Sequence, residues 1–163
     1  MFYFRTMKRM LLFLLLAISV DTFAQVNSKK DFISKKMLII HSDRSYEAAL
    51  QFAGNAVKEL ELLLDLRGLK PLKEGRLSYG KHTCMENFGS CPCYVPKGQY
   101  DDGAYMSIEY SDDYTGFEKG YYIVVAAMFE EENSEVRILR DKTRKIYKDA
   151  YIKTTDVYMG CIH

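Results

Sequence analysis

The residues with the clearest capacity for chemistry are four cysteines and three histidines, most of them in short clusters: His82-Thr-Cys84, Cys91-Pro-Cys93 and Cys161-Ile-His163. Imidazole and thiolate are the ligands that zinc prefers, so these six side chains could in principle hold a metal. The spacing argues otherwise. Structural zinc sites use ligand pairs two to four residues apart, and every pair here is separated by a single residue, so no metal is expected. An even number of cysteines is better read as a disulfide framework, provided the compartment is oxidising. Of the three possible pairings, joining Cys91 to Cys93 closes a very small strained loop and is disfavoured. Two pairings remain: Cys84–Cys91 with Cys93–Cys161, or Cys84–Cys93 with Cys91–Cys161.

A second group of residues could bind rather than react. Between Cys93 and Tyr122 lie seven tyrosines, 94, 100, 105, 110, 114, 121 and 122, together with the acidic pairs Asp101-Asp102 and Asp112-Asp113. Tyrosine offers a flat apolar body and a hydroxyl, suited to sugars or to a protein partner. It is equally a common strand residue, and paired aspartates are ordinary turn formers. The aspartates lack the spacing of an EF-hand loop, so calcium is not expected. Catalysis has little support: none of His41, His82 and His163 lies in a nucleophile elbow, a HExxH helix or a cysteine-protease context. No cofactor motif is present. The expectation is a non-enzymatic protein without cofactor.

The amino terminus supplies the compartment. Arg5, Lys8 and Arg9 precede an apolar run from Met10 to Val20, and Asp21-Thr-Phe-Ala24 follows. These are the three parts of a secretory signal peptide spanning residues 1–24, with cleavage after Ala24. The apolar run is about half as long as a membrane-crossing helix requires. Removing residues 1–24 takes three basic residues and one acid from a chain of formal charge +1, leaving −1. Such a balance offers no electrostatic footprint for nucleic acid or an anionic membrane surface. The expected product is a secreted or periplasmic monomer.

The elements that must position these residues follow from periodicity. Residues 25–36 are polar and read as a flexible lead-in; residues 37–163 read as a single domain, at an ordinary size for one core. Met37-Leu-Ile-Ile40 is a buried-strand run. Ser42, Asp43 and Ser45 can cap a helix whose apolar stripe is Ala49, Phe52, Ala53, Ala56, Leu60 and Leu63. From about 64 to 103, recurrent Gly and Pro predict a loop-rich insertion with one or two short strands, braced by disulfides. Ala104–Tyr110 alternates as a half-buried strand, and Tyr121–Met128 reads as a central strand forming a hairpin with it. Asn133 and Ser134 start a helix with Val136, Leu139, Thr143, Ile146 and Ala150 buried, and Tyr151–Met159 returns as a strand.

The order strand, helix, insertion, strand, strand, helix, strand predicts an α+β domain. Its expected form is the ferredoxin-like split βαβ arrangement, with two helices on one face of a mainly antiparallel four-stranded sheet and the other face open. Tyr121-Tyr-Ile-Val-Val-Ala-Ala-Met-Phe129, the capped helix after it and Asp149-Ala-Tyr-Ile-Lys153 carry a resemblance, joined by Leu38-Ile-Ile-His-Ser42 and Ser45-Tyr-Glu-Ala-Ala49. In these segments the chain resembles the SPOR (sporulation-related repeat) domains, which hold peptide-stripped glycan strands of peptidoglycan on the sheet face opposite the helices. The resemblance covers about half of the chain after the signal peptide and implies a glycan-binding module, with Tyr105, Tyr122 and Tyr158 as candidates for the binding face. The alternative is an inhibitor or immunity-type protein that meets an extracytoplasmic target enzyme through the cysteine-containing loop, Arg76–Asp102.

Overall fold

The computed structural model describes residues 31–160 and divides the chain at Asp31, so that the unit from Phe32 onward stands by itself. It is a mixed α+β unit. In chain order its elements are β1 (Phe32–Asp43), α1 (Tyr46–Leu60), the two-residue strands β2 (Lys70–Pro71) and β3 (Leu77–Ser78), α2 (Lys81–Phe88), β4 (Ser107–Tyr110), β5 (Tyr122–Phe129), α3 (Ser134–Ile146) and β6 (Tyr151–Tyr158). The four long strands form one sheet in the order β4-β5-β1-β6, and each neighbouring pair is antiparallel.

Local sequence accounts for the helices. The Ser45 hydroxyl accepts from the Ala48 amide to cap α1, and the Asn133 side chain accepts from the Val136 amide to cap α3, each satisfying an amide that the first helical turn leaves without a partner. Ala49, Ala53 and Ala56 are wholly buried along α1. Their small side chains let the helix lie close on Leu38, Ile40, Val124 and Ala126 of the sheet. Leu63 falls beyond the helix end and is exposed, and Ile146 is also exposed at the last residue of α3. Neither joins the predicted apolar stripe.

Residues 32–36, expected as flexible lead-in, are instead strand paired with β6 from Phe32 opposite Tyr158. The polar residue that hid this is Lys35. Its side chain is buried, with the ammonium donating to Asp102 and Glu130 at 2.7 Å each, and these carboxylates, opposing the cost of burial, hold its pKa above the usual lysine value.

The largest departure concerns the second sheet face, expected to be open. Met37, Ile39, Ile123, Val125, Met128 and Val157 project there, and they are buried beneath Tyr114, with Phe117 and Tyr121 packed alongside. Residues 95–99 of the insertion also lie on this face, since Gly98 approaches Met128 and the Lys97 amide points at Glu109. An apolar sheet face of this extent left in water forfeits the burial that stabilises a small domain, so the chain spends its insertion covering it. The insertion is anchored by backbone pairing at both ends, Met106 with Leu63 and Asp65, and Gly103 with Met128.

Gly98 makes that close cover possible. It has a φ of +92°, and an added Cβ would stand 2.6 Å from the Met128 sulfur. Gly98→Ala should therefore destabilise the protein by about 1–3 kcal/mol through combined strain and overpacking, measurable as a lower urea midpoint with unchanged slope.

Candidate functional site

Two β-bulges decide where the sheet presents its side chains. Between Leu38 and His41 the register of β1 against β5 shifts twice: Leu38 faces Ala127, Ile39 faces Val125, and His41 faces Val124. Ala126 and Ile40 are thus the extra residues. A bulge re-aims the side chains beyond it, and directly opposed residues share a face. Because Val124 belongs to the helix-side core, His41 points to the helices rather than to the face that simple alternation assigns it.

There it stacks on Phe52 of α1, with ring centroids 4.2 Å apart and planes 12° apart. Phe52 in turn meets Tyr147, at the end of α3, at 5.3 Å. Tyr147 is held from behind by donating its hydroxyl to Glu59 at 2.7 Å, and burial followed by that carboxylate pushes its pKa up to about 12. A turn closed by Ala150 donating to the Tyr147 carbonyl then places Lys148 and Asp149. These groups, with Ile40, Ser42, Ile146 and Tyr151, line a cleft of about 510 Å³. Its volume falls in the range of small-ligand sites, and aromatic and polar groups line it together. Tyr151 is exposed and also borders an adjoining hollow with Ser42, Phe117, Glu118, Tyr121 and Lys153.

The three tyrosines predicted to share a binding face do not share one. Tyr122 is buried in the helix-side core, packed on Tyr46 and Tyr110 at 5.4 and 5.2 Å. Tyr105 lies in the insertion's return segment, its hydroxyl bonded to Asp101 and its ring beneath the Lys97 ammonium, 3.4 Å from the ring centroid. Tyr158 is exposed at the end of β6 beside Phe32. The expectation assumed an uncovered second face and placed Tyr122 on it, whereas that face is covered and Tyr122 belongs to the helix-side core. The residues missed, Phe52, Tyr147 and Tyr151, stood in the sequence as helix-stripe and strand positions, and only their convergence with His41 marks them.

The cysteines resolve one half of the framework. Cys84 and Cys93 form a disulfide with Cα atoms 5.5 Å apart, tying α2 to the insertion; neither is then available as a thiolate ligand. Cys91 is exposed, while Cys161 and His163 lie outside the described residues. Among the described residues no group of His, Cys, Asp and Glu is arranged to hold a metal ion, and no helix is long and apolar enough to cross a membrane.

Beneath the insertion lies a buried polar cluster that sequence reading did not anticipate. Glu109, on β4, is wholly buried; one of its oxygens accepts from Arg67 at 2.7 Å, from the Tyr114 hydroxyl at 2.9 Å and from the Tyr94 hydroxyl. Arg67 also donates to the Val95 carbonyl at 3.0 Å. Burial works against the Arg67 charge, but Glu109 outweighs it and raises the guanidinium pKa. Burial, then the Glu109 charge, drives Tyr94 and Tyr114 well above the ordinary phenol range, so they remain donors. Lys97 is wholly buried nearby, donating to the Tyr105 carbonyl at 2.8 Å. Burial pulls its pKa down to about 7, against the attraction of Glu109 and with the repulsion of Arg67.

No protein-family model matches the chain, and no curated protein and no solved structure is similar to it.

Lys97 gives a pH signature. Its folded pKa of about 7 lies below the unfolded value of about 10.4, so between these the unfolded chain binds more protons and stability rises with pH. Chemical denaturation at pH 7 and pH 9.5 should show a more stable protein at the higher pH, and Lys97→Met should remove most of that rise.

Proposed function

We propose that the protein is an exported, non-enzymatic binding module that holds a glycan, of the peptidoglycan type, in the cleft of His41, Phe52, Tyr147 and Tyr151. The carrying observation is the convergence of those rings on one cleft of about 510 Å³, together with a hydroxyl, Ser42, and one group of each charge, Lys148 and Asp149. Amphipathic rings suit the apolar faces of sugars while hydroxyls and rim charges take their hydrogen bonds.

Binding rather than cleavage is favoured by the cleft's acid content. Asp149 is the one carboxylate among its lining residues, whereas glycoside hydrolysis generally employs two carboxyl groups flanking the bond. Export is supported by the amino-terminal pattern and by the Cys84–Cys93 disulfide, which persists in oxidising compartments. We further read the sheet as the ferredoxin-like split βαβ arrangement. Numbering the four long strands along the chain, their spatial order is second, third, first, fourth, with α1 following the first and α3 following the third, as that arrangement requires.

The test is co-sedimentation of the oxidised protein with purified sacculi, with and without stem peptides. Retention on stripped glycan is expected, and Tyr151→Ala should weaken it at least about tenfold because an exposed stacking ring is removed without opening the core. Tyr158→Ala, outside the cleft, should leave it unchanged. Absence of retention, or equal retention by the Tyr151 variant, would contradict the proposal.

A further inference from the structure

A second recess lies far along the chain from the aromatic cleft and is built from three segments. The β2–β3 hairpin contributes Leu72, Arg76 and Leu77; the disulfide segment contributes Pro92, Cys93 and Tyr94; the 3-10 turn after β4 contributes Asp113. Its volume is about 200 Å³, enough for one slender side chain. Its walls are fixed on each side. The Leu72 amide donates to the Arg76 carbonyl at 2.7 Å, the Tyr79 amide donates to the Cys93 carbonyl at 3.0 Å, and Cys93 is crosslinked to Cys84.

The lining mixes apolar side chains, Leu72, Leu77 and Pro92, with polar ones, and among the latter is the Asp113 carboxyl. That side chain is 21% exposed, and its nearest cation among the described residues is Arg76, at 3.9 Å. The Arg76 side chain is 59% exposed. A guanidinium so far from its partner and so much in water makes a weak pair and loses little by leaving. The recess therefore holds a carboxylate that is largely removed from water and poorly neutralised, an arrangement that costs free energy until a better-seated cation arrives.

We propose that this recess binds a guanidinium or ammonium group carried on a narrow apolar stem, with Asp113 as counter-ion, Leu72, Leu77 and Pro92 around the stem, and Arg76 displaced towards solvent. The chemistry is that of an arginine or lysine side chain of a polypeptide, or of a free alkylamine. This site is independent of the glycan reading, and either can fail alone.

Proton coupling supplies a second handle. Burial pushes Asp113 up to about 6, against the pull of Arg76 and with reinforcement from Asp112 and Glu109. An incoming cation favours the ionised form, so binding should weaken as pH falls through this range.

The experiment is a titration of the oxidised protein, followed by NMR, with N-acetyl-arginine methylamide, agmatine and, as the neutral control, N-acetyl-norleucine methylamide. Saturable shifts at Leu72, Leu77 and Tyr94 are expected with either cation and not with the control. They should weaken at least tenfold in Asp113→Asn and between pH 7.5 and pH 5. Response to both cations would show that the charged group suffices; response to the arginine derivative alone would assign the site to polypeptide side chains. Arg76→Gln, which empties the recess of its own cation, should bind more tightly. No saturable shift with either cation, or equal affinity in a folded Asp113→Asn protein, would overturn the proposal.

Discussion

One ion pair, Arg67 with Glu109, decides how this chain closes its sheet. Glu109 sits on the short edge strand β4 and projects to the face away from the helices, where it has no access to water. A carboxylate there must be paired or the face must stay open. Arg67 meets it from the insertion, held by a left-handed backbone at φ 54° and by Asp65 accepting from its amide. Two tyrosine hydroxyls donate to the same Glu109 oxygen, one from the disulfide segment and one from the turn after β4, while the other carboxylate oxygen is buried without a partner. The pair thus gathers three otherwise irregular segments onto one point of the sheet. Near the start of the interior strand β1, Lys35 performs a similar office between Asp102 and Glu130.

Closing that face moves the available binding surface to the margins of the sheet. The helix-side cleft exists because β1 bulges at Ile40 and turns His41 towards Phe52, and because α3 ends on Tyr147 against Glu59. The second recess exists because the insertion, once pinned, leaves a gap between its hairpin and its disulfide segment that the half-buried Asp113 borders. Both are consequences of cover. In each, the polar groups at the rim were placed by elements folded for other reasons.

Much of the architecture was legible because it rests on local physics. Ser45 and Asn133 are N-caps with acceptors in the expected places, the alanines of α1 recur at helical spacing, and Tyr122–Phe129 is apolar throughout, as a central strand is. The convergence of the cleft residues was not legible, since a bulge is a property of two strands paired at a distance and leaves little mark on either. Lys35 and Glu109 read as solvent-facing charges because their partners lie 67 and 42 residues away. Tyr114 read as one of a run of tyrosines suited to binding, although it is core for the second face. Of the two cysteine pairings left open, Cys84–Cys93 is the bond present; nothing in spacing alone distinguished it.

The most direct test is a double-mutant cycle on Arg67 and Glu109, using Arg67→Met, Glu109→Leu and both together, with stability measured by urea denaturation. Each single change strands a buried charge and should cost about 3–5 kcal/mol, while the double variant should recover most of that loss. Simple additivity of the two single effects would show that the pair does not join the insertion to the sheet, and would contradict the account.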